Sequence, residues 1–443
     1  MRGKKTRRRP DAEHRTAPVL QETGAASPTH RRRRKLWFRL GALVLVLLVV
    51  WGIPELVVRI AKPTLETYRA IRFGGDPNSL KLFMKDAQLH WKLRPSVETE
   101  FLQTTVRTDR YGFRGDVPVS GRRVVLCLGD STVFGYRVEQ ADSFPARLQF
   151  RLNGRDPSGS GWNVVNAGVP GYTSFQVRLL AEKLVPRWKP DVIVVCVGNN
   201  EACPVARSDR QVAADRALTS RLVSLLSASR FLVWGAETVC PDQPQPFISP
   251  VLENAVARVS RDEFGENVRA IAQIARAANA KLILLSPPVN VYWKPMRTDQ
   301  FAGWEKWEGI CQSVRTAWNA GEREKAREIA NTAVAKYPDS YVALWIQGIV
   351  VTDSGDVEGG RELLEQSIEH HPFPENCKRS YREVLAQVAR EEKIPCLDAN
   401  SLFRSHAEGP TPQSLYLDWC HPTPQGHGIL ASALFEAMRS EKD

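Results

Sequence analysis

Val124-Val125-Leu126-Cys127-Leu128-Gly129-Asp130-Ser131-Thr132 decides the fold. Five apolar residues run without alternation into a glycine, an aspartate and a serine. A continuous apolar run is what a parallel strand covered on both faces requires. A serine just past its end sits where strand turns into helix and a hydroxyl can be presented. Residues 162–166, 192–197 and 281–286 read as further buried strands, and 394–397 as a short last one. Between them the spacing of apolar residues predicts helices over 144–152, 174–184 (with Ser174 as N-cap), 381–389 and 426–438, the last opened by Thr423-Pro424. Strands alternating with helices predict an α/β fold, three layers deep, around a doubly wound parallel sheet.

Charge narrows the possible partners. The 443 residues carry a formal net charge of +12. Residues 1–35 hold twelve Arg or Lys against three Asp or Glu, a net of +9, which leaves +3 for the other 408. The basic balance belongs to a tail, which excludes a nucleic-acid-binding body and points that tail at anionic headgroups. Arg31-Arg32-Arg33-Arg34-Lys35 is followed by an apolar stretch interrupted only by Arg39, a side chain long enough to snorkel. Residues 36–54 would span about 28 Å as a helix, against about 30 Å of hydrocarbon. The reading is an uncleaved single-pass anchor over 36–58 with its N-terminus cytoplasmic, so that the rest is periplasmic or extracellular. A cleaved signal is the alternative, although residues 49–54 offer no clean small-x-small site. All eight cysteines follow the span. Cys127 and Cys196 read as buried strand residues; Cys203, Cys240, Cys377 and Cys396 are the disulfide candidates. There is no Cys-x-x-Cys, and no metal or diffusible cofactor is expected.

The expected organisation is a basic tail (1–35), the anchor (36–58), a membrane-proximal connector (59–119), a first core part (120–311) and a last core part (376–443). Residues 204–262 of the first part, which include the Pro-rich 241–246, could form a lid. An insertion at 312–375 repeats with period 34: Gly321 with Gly355, Arg327 with Arg361, Pro338 with Pro372, Ala326 with Gly360, Ala330 with Leu364 and Val334 with Ile368. That is the period of a tetratricopeptide helix-turn-helix unit. Two units are too few to stand alone, so they must pack on the core or on a protein partner.

A serine hydroxyl needs a base to become a nucleophile. Asp418-Trp419-Cys420-His421 supplies one: His421 could take the Ser131 proton while Asp418 holds the other ring nitrogen. The backbone N–H groups of Ser131 and Gly168 and the side-chain amide of Asn200 could serve a developing oxyanion. Each of these three residues follows the C-terminal end of a predicted strand, the edge where such sheets hold their sites. Singly, each has a plain structural reading: Ser131, Asn200 and Asp418 could cap helices, and His421 could be a surface residue. Together and in this order they point to acyl chemistry. His427 in the last helix is the rival base. His370 and His371 read as surface residues, and Cys420 is not taken as a nucleophile.

These blocks resemble the SGNH/GDSL-type hydrolases. Gly129-Asp130-Ser131 matches the family's nucleophile block, Gly168 its glycine block, Gly198-Asn199-Asn200 its Gly-x-Asn block and Asp418-x-x-His421 its base block. Residues 112–115 resemble the Gly-Phe-Arg-Gly segment of membrane-associated members. Gly198-Asn199-Asn200-Glu201 resembles a subgroup with repeat-like helices before the last strand. The resemblance implies a flavodoxin-like core, a Ser131–His421–Asp418 triad and an oxyanion hole of Ser131, Gly168 and Asn200. Glu201 departs from the family's usual aspartate, which bears on geometry more than on attack.

The expected function is ester hydrolysis or O-acyl transfer on acyl or acetyl esters of envelope glycan, with Trp234, Trp293, Trp304 and Trp307 available to stack on sugars. The alternatives are a lysophospholipase-like lipid esterase, whose acyl groove residues 204–262 could build, and a non-catalytic assembly factor that recruits partners through the insertion.

Overall fold

The computed structural model describes residues 28–61, 76, 78–86, 88–115, 120–154, 161–214, 229–239, 255–295, 304–372, 374 and 376–439. It divides into two units, 1–62 and 63–443. In the first, one helix runs from Pro28–Leu47 through a π turn at Leu48–Gly52 into Ile53–Ala61. Its stretch Arg32–Ala61, 30 residues, is long and apolar enough to cross a membrane. The helix therefore continues past Pro54. A proline ring crowds the carbonyl four residues back, here Val50, and the wider π turn that contains Val50 accommodates it. Beyond the proline, Glu55 accepts from Arg59 Nε at 2.8 Å one turn on.

The second unit is built on a five-stranded parallel sheet. Its strands are β5 (Arg123–Gly129), β6 (Trp162–Gly168), β7 (Val192–Cys196), β10 (Lys281–Ser286) and β11 (Cys396–Asp398). Their spatial order is β11-β10-β7-β5-β6, and every pairing is parallel. This is the flavodoxin-type order, and its reversal point lies between β5 and β7. Alternate residues face opposite layers. Leu126, Leu128, Ile193, Val195 and Leu284 pack with helices Ser174–Trp188, Arg261–Ala277 and Arg379–Glu392. Val125, Cys127, Val194, Cys196 and Ile283 pack with Phe144–Asn153, Ala399–Ser405 and Pro424–Arg439. Burial on both faces explains why the strands read as unbroken apolar runs. The helix at 174 begins one residue earlier than its sequence suggests. Thr173 is its cap, and Gln176 reaches back to the Thr173 N–H at 2.9 Å.

The segment expected to be a connector is part of the core. Strands β1 (Phe83–Asp86) and β2 (His90–Leu93) form one antiparallel hairpin, and β3 (Glu98–Phe101) and β4 (Thr104–Arg107) another. Phe83, Trp91, Leu93, Phe101, Val106 and Phe113 share one apolar cluster with the sheet. Strands of four residues were too short to announce themselves by alternation. Arg114 locks the pair down: buried, it donates to the carbonyls of Phe134 (3.0 Å), Gly135 (2.6 Å) and Val138 (2.8 Å), and burial lowers its pKa to about 10.

The insertion consists of four helices, Trp304–Asn319, Arg323–Lys336, Tyr341–Asp353 and Val357–His370, so its helical part starts before residue 312. Gly321 and Gly355 occupy matching left-handed turns (φ 80° and 102°). Arg327 pairs with Glu324 and Arg361 with Glu358, the same contact 34 residues apart. Val314, Ala326, Ala330, Val342 and Ile346 make a small core of their own, whereas Leu364 and Ile368 join the main one with Tyr381 and Leu385. His371 is buried against Tyr341 rather than exposed.

About half of the expected lid, 215–228 and 240–254, lies outside the described residues. Its base is described: β8 (Pro204–Val205) pairs with β9 (Val256–Ala257), and the fully buried Arg258 holds Asp209 through two hydrogen bonds (3.1 and 2.9 Å). Cys377 and Cys396 are free thiols; Cys203 Sγ lies 3.7 Å from the Pro374 carbonyl, and Cys240 lies outside the described residues.

Candidate active site

The site is assembled where β5 ends. A Cβ on Gly129 would fall 2.0 Å from the Cys196 carbonyl, so only glycine lets β5 and β7 approach so closely here. Asp130 then caps a single helical turn, Ser131–Phe134, by accepting the Thr132 N–H at 2.8 Å. Gly135 (φ 81°) ends that turn and returns the chain across it. Ser131 is thereby set at the sheet's edge, 8% exposed.

His421 arrives on a loop organised by its own aspartate. Asp418 Oδ1 accepts the N–H groups of Cys420 (3.1 Å) and His421 (2.9 Å), and His421 Nδ1 lies 2.9 and 2.8 Å from the two carboxylate oxygens. The other ring nitrogen, Nε2, is 2.8 Å from Ser131 Oγ. Tyr136 stacks on the imidazole, centroids 4.3 Å apart. Asn290, in the loop after β10, braces the same turn: its side chain donates to the Asp418 carbonyl at 3.1 Å and its N–H to the Trp419 carbonyl at 2.8 Å. Neither Tyr136 nor Asn290 was foreseen. Tyr136 closely follows the Gly129-Asp130-Ser131 block, and that proximity was the signal available.

Burial works to raise the Asp418 pKa, yet the His421 ring and the two backbone donors outweigh it and hold the carboxyl below its usual value. An ionised carboxylate fixed on Nδ1 leaves Nε2 to exchange a proton with the serine hydroxyl. This arrangement can deliver a serine nucleophile and later protonate a leaving group.

Gly168 ends β6 directly behind the serine turn, where a Cβ would meet the Phe134 nitrogen at 2.2 Å. Its N–H donates to Asn166 Oδ1 at 3.1 Å. Asn200, after β7, gives one amide hydrogen to the Tyr172 carbonyl at 3.0 Å, which leaves the second for another acceptor. Glu201 turns away from the serine and accepts the N–H groups of Ser174 (2.7 Å) and Asn200 (3.1 Å). Burial, reinforced by neighbouring Asp130 against the pull of the Ser174 N–H, pushes the Glu201 carboxyl up to about 8. Burial likewise lifts Asp130 to about 6.

The other candidates separate cleanly. His427 is buried, accepts the Phe144 N–H at 3.2 Å, and is pushed by burial down to about 3, which makes it structural. Cys420 Sγ lies 3.8 Å from His421 Nδ1, on the aspartate side of the ring and away from the serine. The Asp418, Cys420 and His421 donor atoms lie within 4.8 Å of one another, but the carboxylate and Nδ1 are already committed to each other.

The model of the GDSL-like lipase/acylhydrolase family matches residues 127–347. The chain belongs to that family. The match opens inside β5, covers Ser131, Gly168 and Asn200, and ends in the helix Tyr341–Asp353; Asp418 and His421 join the site through the fold. As a GDSL-like acylhydrolase, the chain is a serine ester hydrolase. Similar solved structures include Axe2, an acetylxylan esterase from Geobacillus stearothermophilus (15% identity, 72% of this chain and 94% of that one, TM-score 0.36). LAE5, an alpha/beta hydrolase enzyme from the metagenome of Lake Arreo, Spain, is another (14%, 74% and 99%, TM-score 0.36). A GDSL-like lipase from Bacteroides thetaiotaomicron is a third (14%, 73% and 91%, TM-score 0.33). No curated protein matches the GDSL-like chain.

Proposed function

We propose that the protein is an extracytoplasmic serine esterase or O-acyltransferase that acts on acyl or acetyl esters of envelope glycan through an acyl-enzyme. The observation that carries this reading is the continuous relay Ser131 Oγ–His421 Nε2 (2.8 Å) and His421 Nδ1–Asp418 (2.8 Å). Ser131 Oγ attacks the acyl carbonyl as its proton passes to His421 Nε2. The carbonyl oxygen becomes an oxyanion received by the Ser131 N–H and the second Asn200 hydrogen, with the Gly168 N–H shared between it and Asn166. The imidazolium returns the proton to the departing alkoxide, and the acyl group stays on Ser131. Water, or a sugar hydroxyl, then attacks with His421 again as base and restores the serine. The Arg32–Ala61 helix, whose first residues belong to the arginine cluster 31–34, supports a membrane anchor with the catalytic unit outside the cytoplasm.

The test is covalent labelling of the full chain in detergent with a fluorophosphonate, followed by peptide mapping. Label on Ser131, absent in Ser131→Ala, is the expected result. A folded protein that takes no label would overturn the reading.

A further inference from the structure

One cleft outside the triad joins the helical insertion to the catalytic loop. It is open to solvent, and its walls include Trp293, Lys294, Trp345, His371, Asn376 and Trp419. Trp419 connects it to the chemistry: two residues before the base, its ring meets the His421 imidazole edge-on at 5.9 Å. Trp293, from the loop after β10, keeps 40% of its surface in solvent. Trp345 comes from the third helix of the insertion and Asn376 from the return to the core. A ligand in the cleft would therefore touch both parts of the molecule.

The chemistry of the walls selects a class of ligand. Indole faces take up the C–H face of a pyranose ring, an apolar surface with polar edges. Two of the wall residues also carry a buried polar atom without a partner. Trp345 Nε1, a donor, and Asn376 Oδ1, an acceptor, are buried with no hydrogen-bond partner among the described residues. Buried groups of this kind ordinarily find partners. A sugar hydroxyl, donor and acceptor at once, answers both. A lipid acyl chain answers neither and would leave them orphaned. Among the described residues that line the cleft the ionisable ones are Lys294 and His371, so neutral and uronic sugars both fit.

We propose that this cleft is a glycan subsite, in which a pyranose unit next to the ester-bearing or acyl-accepting sugar stacks on Trp293 and hydrogen-bonds Trp345 and Asn376. The insertion thus acts as one wall of the substrate cleft. This inference rests on the esterase reading for its purpose, though binding can be measured without turnover.

The experiment uses the full chain in detergent micelles, with Ser131→Ala to prevent turnover. Binding of cellotetraose, chitotetraose and tetragalacturonate is followed by calorimetry, and a lysophospholipid is included as competitor. The expected result is binding of at least one tetrasaccharide, weakened tenfold or more by Trp293→Ala and by Trp345→Phe, and unchanged by Trp162→Phe on the distant edge strand. Trp293 is exposed and Trp345→Phe keeps a ring, so thermal melting should show both variants folded. With Ser131 restored, the loss on an acetylated tetrasaccharide should fall on KM rather than kcat. Failure of all three saccharides to bind, indifference to both tryptophan variants, or occupancy by lysophospholipid alone would overturn the subsite. Failure of the wild-type chain to hydrolyse p-nitrophenyl acetate would overturn the esterase reading instead and leave the binding result standing.

Discussion

The candidate catalytic edge of the sheet and the helical insertion are built by opposite means. At the edge, Ser131, Asp418 and His421 are 8%, 3% and 5% exposed. The decisive hydrogen bond joins residues 290 apart in sequence. Beyond the local Asp418–His421 contact, groups from other elements hold the site: Asn290 on the Asp418 turn, Tyr136 on the imidazole, Arg114 behind the serine turn. In the insertion the repeated contacts are local and wet, such as Arg327–Glu324 at i,i+3 with 39% and 84% exposure. A small core of their own serves its first three helices. The difference teaches where precision resides: acyl chemistry needs non-local, desolvated support, whereas a cleft wall needs only helices at the right spacing.

The largest expected effect tests the edge directly. Asp418→Asn keeps the shape but loses the charge that fixes His421. It should lower kcat for p-nitrophenyl acetate by about 10³- to 10⁴-fold with little change in melting temperature. A drop under tenfold would mean that the edge is less preorganised than its geometry implies.

Next comes the buried carboxyl beneath the site. Its folded pKa, about 8, stands above the ordinary 4.5. Below pH 4.5 Glu201 is protonated in both folded and unfolded chains and costs nothing. As pH rises, the unfolded chain releases the proton first, so stability declines until the folded group ionises near pH 8. Glu201→Gln should flatten that decline and stabilise the protein at pH 8 by on the order of 3–5 kcal/mol, read from denaturation midpoints between pH 4.5 and 8. Asp130, raised to about 6, leaves a smaller slope of the same sign. An unchanged slope in the variant would place the pH dependence elsewhere.

What was legible beforehand follows the same division. The sheet strands, the Asp-x-x-His pair and the 34-residue period each leave a local mark, either an apolar run, a short spacing or a recurrence. Residues 83–107 left none, because a four-residue strand offers two positions per face and its burial depends on a sheet distant in sequence. Asn290, Trp345 and Trp419 were unreadable for a related reason, and Tyr136 offered only its nearness to the Gly129-Asp130-Ser131 block. Each acts across a contact that exists only after folding, and nothing in the neighbourhood of a tyrosine or a tryptophan tells which ring it will meet. The Thr173 cap was missed by one residue because Thr-Ser offers two hydroxyls, and only the Gln176 return contact chooses between them.

Inside the insertion, the closest approach is between Gly360 and the preceding helix. A Cβ there would sit 2.0 Å from Thr352 Oγ1 and 2.6 Å from the Gly348 carbonyl. Gly360→Val should destabilise this helix pair by about 1–3 kcal/mol, visible as faster amide exchange over 341–370. Exchange in β5 and β7 should hold. Equal loss of protection in both regions would merge them into one cooperative unit.

The smallest effect is the sharpest on the insertion's side of the comparison. Arg327→Ala removes an exposed i,i+3 ion pair whose copy, Arg361–Glu358, lies 34 residues on. Exposed pairs gain little because water screens them and two long side chains must be held still. The variant should lose at most about 0.5 kcal/mol, and less in 0.5 M salt, by thermal melting. Arg361→Ala removes the same contact from a helix that also packs on the main core. Arg361 is less exposed than Arg327 (25% against 39%) and also feels the charge of Glu365, so local electrostatics alone would make its loss larger by only about a few tenths of a kcal/mol. A clearly larger loss at Arg361 would show that the second helix pair, which shares Leu364 and Ile368 with the sheet's apolar cluster, has taken on the edge's non-local character.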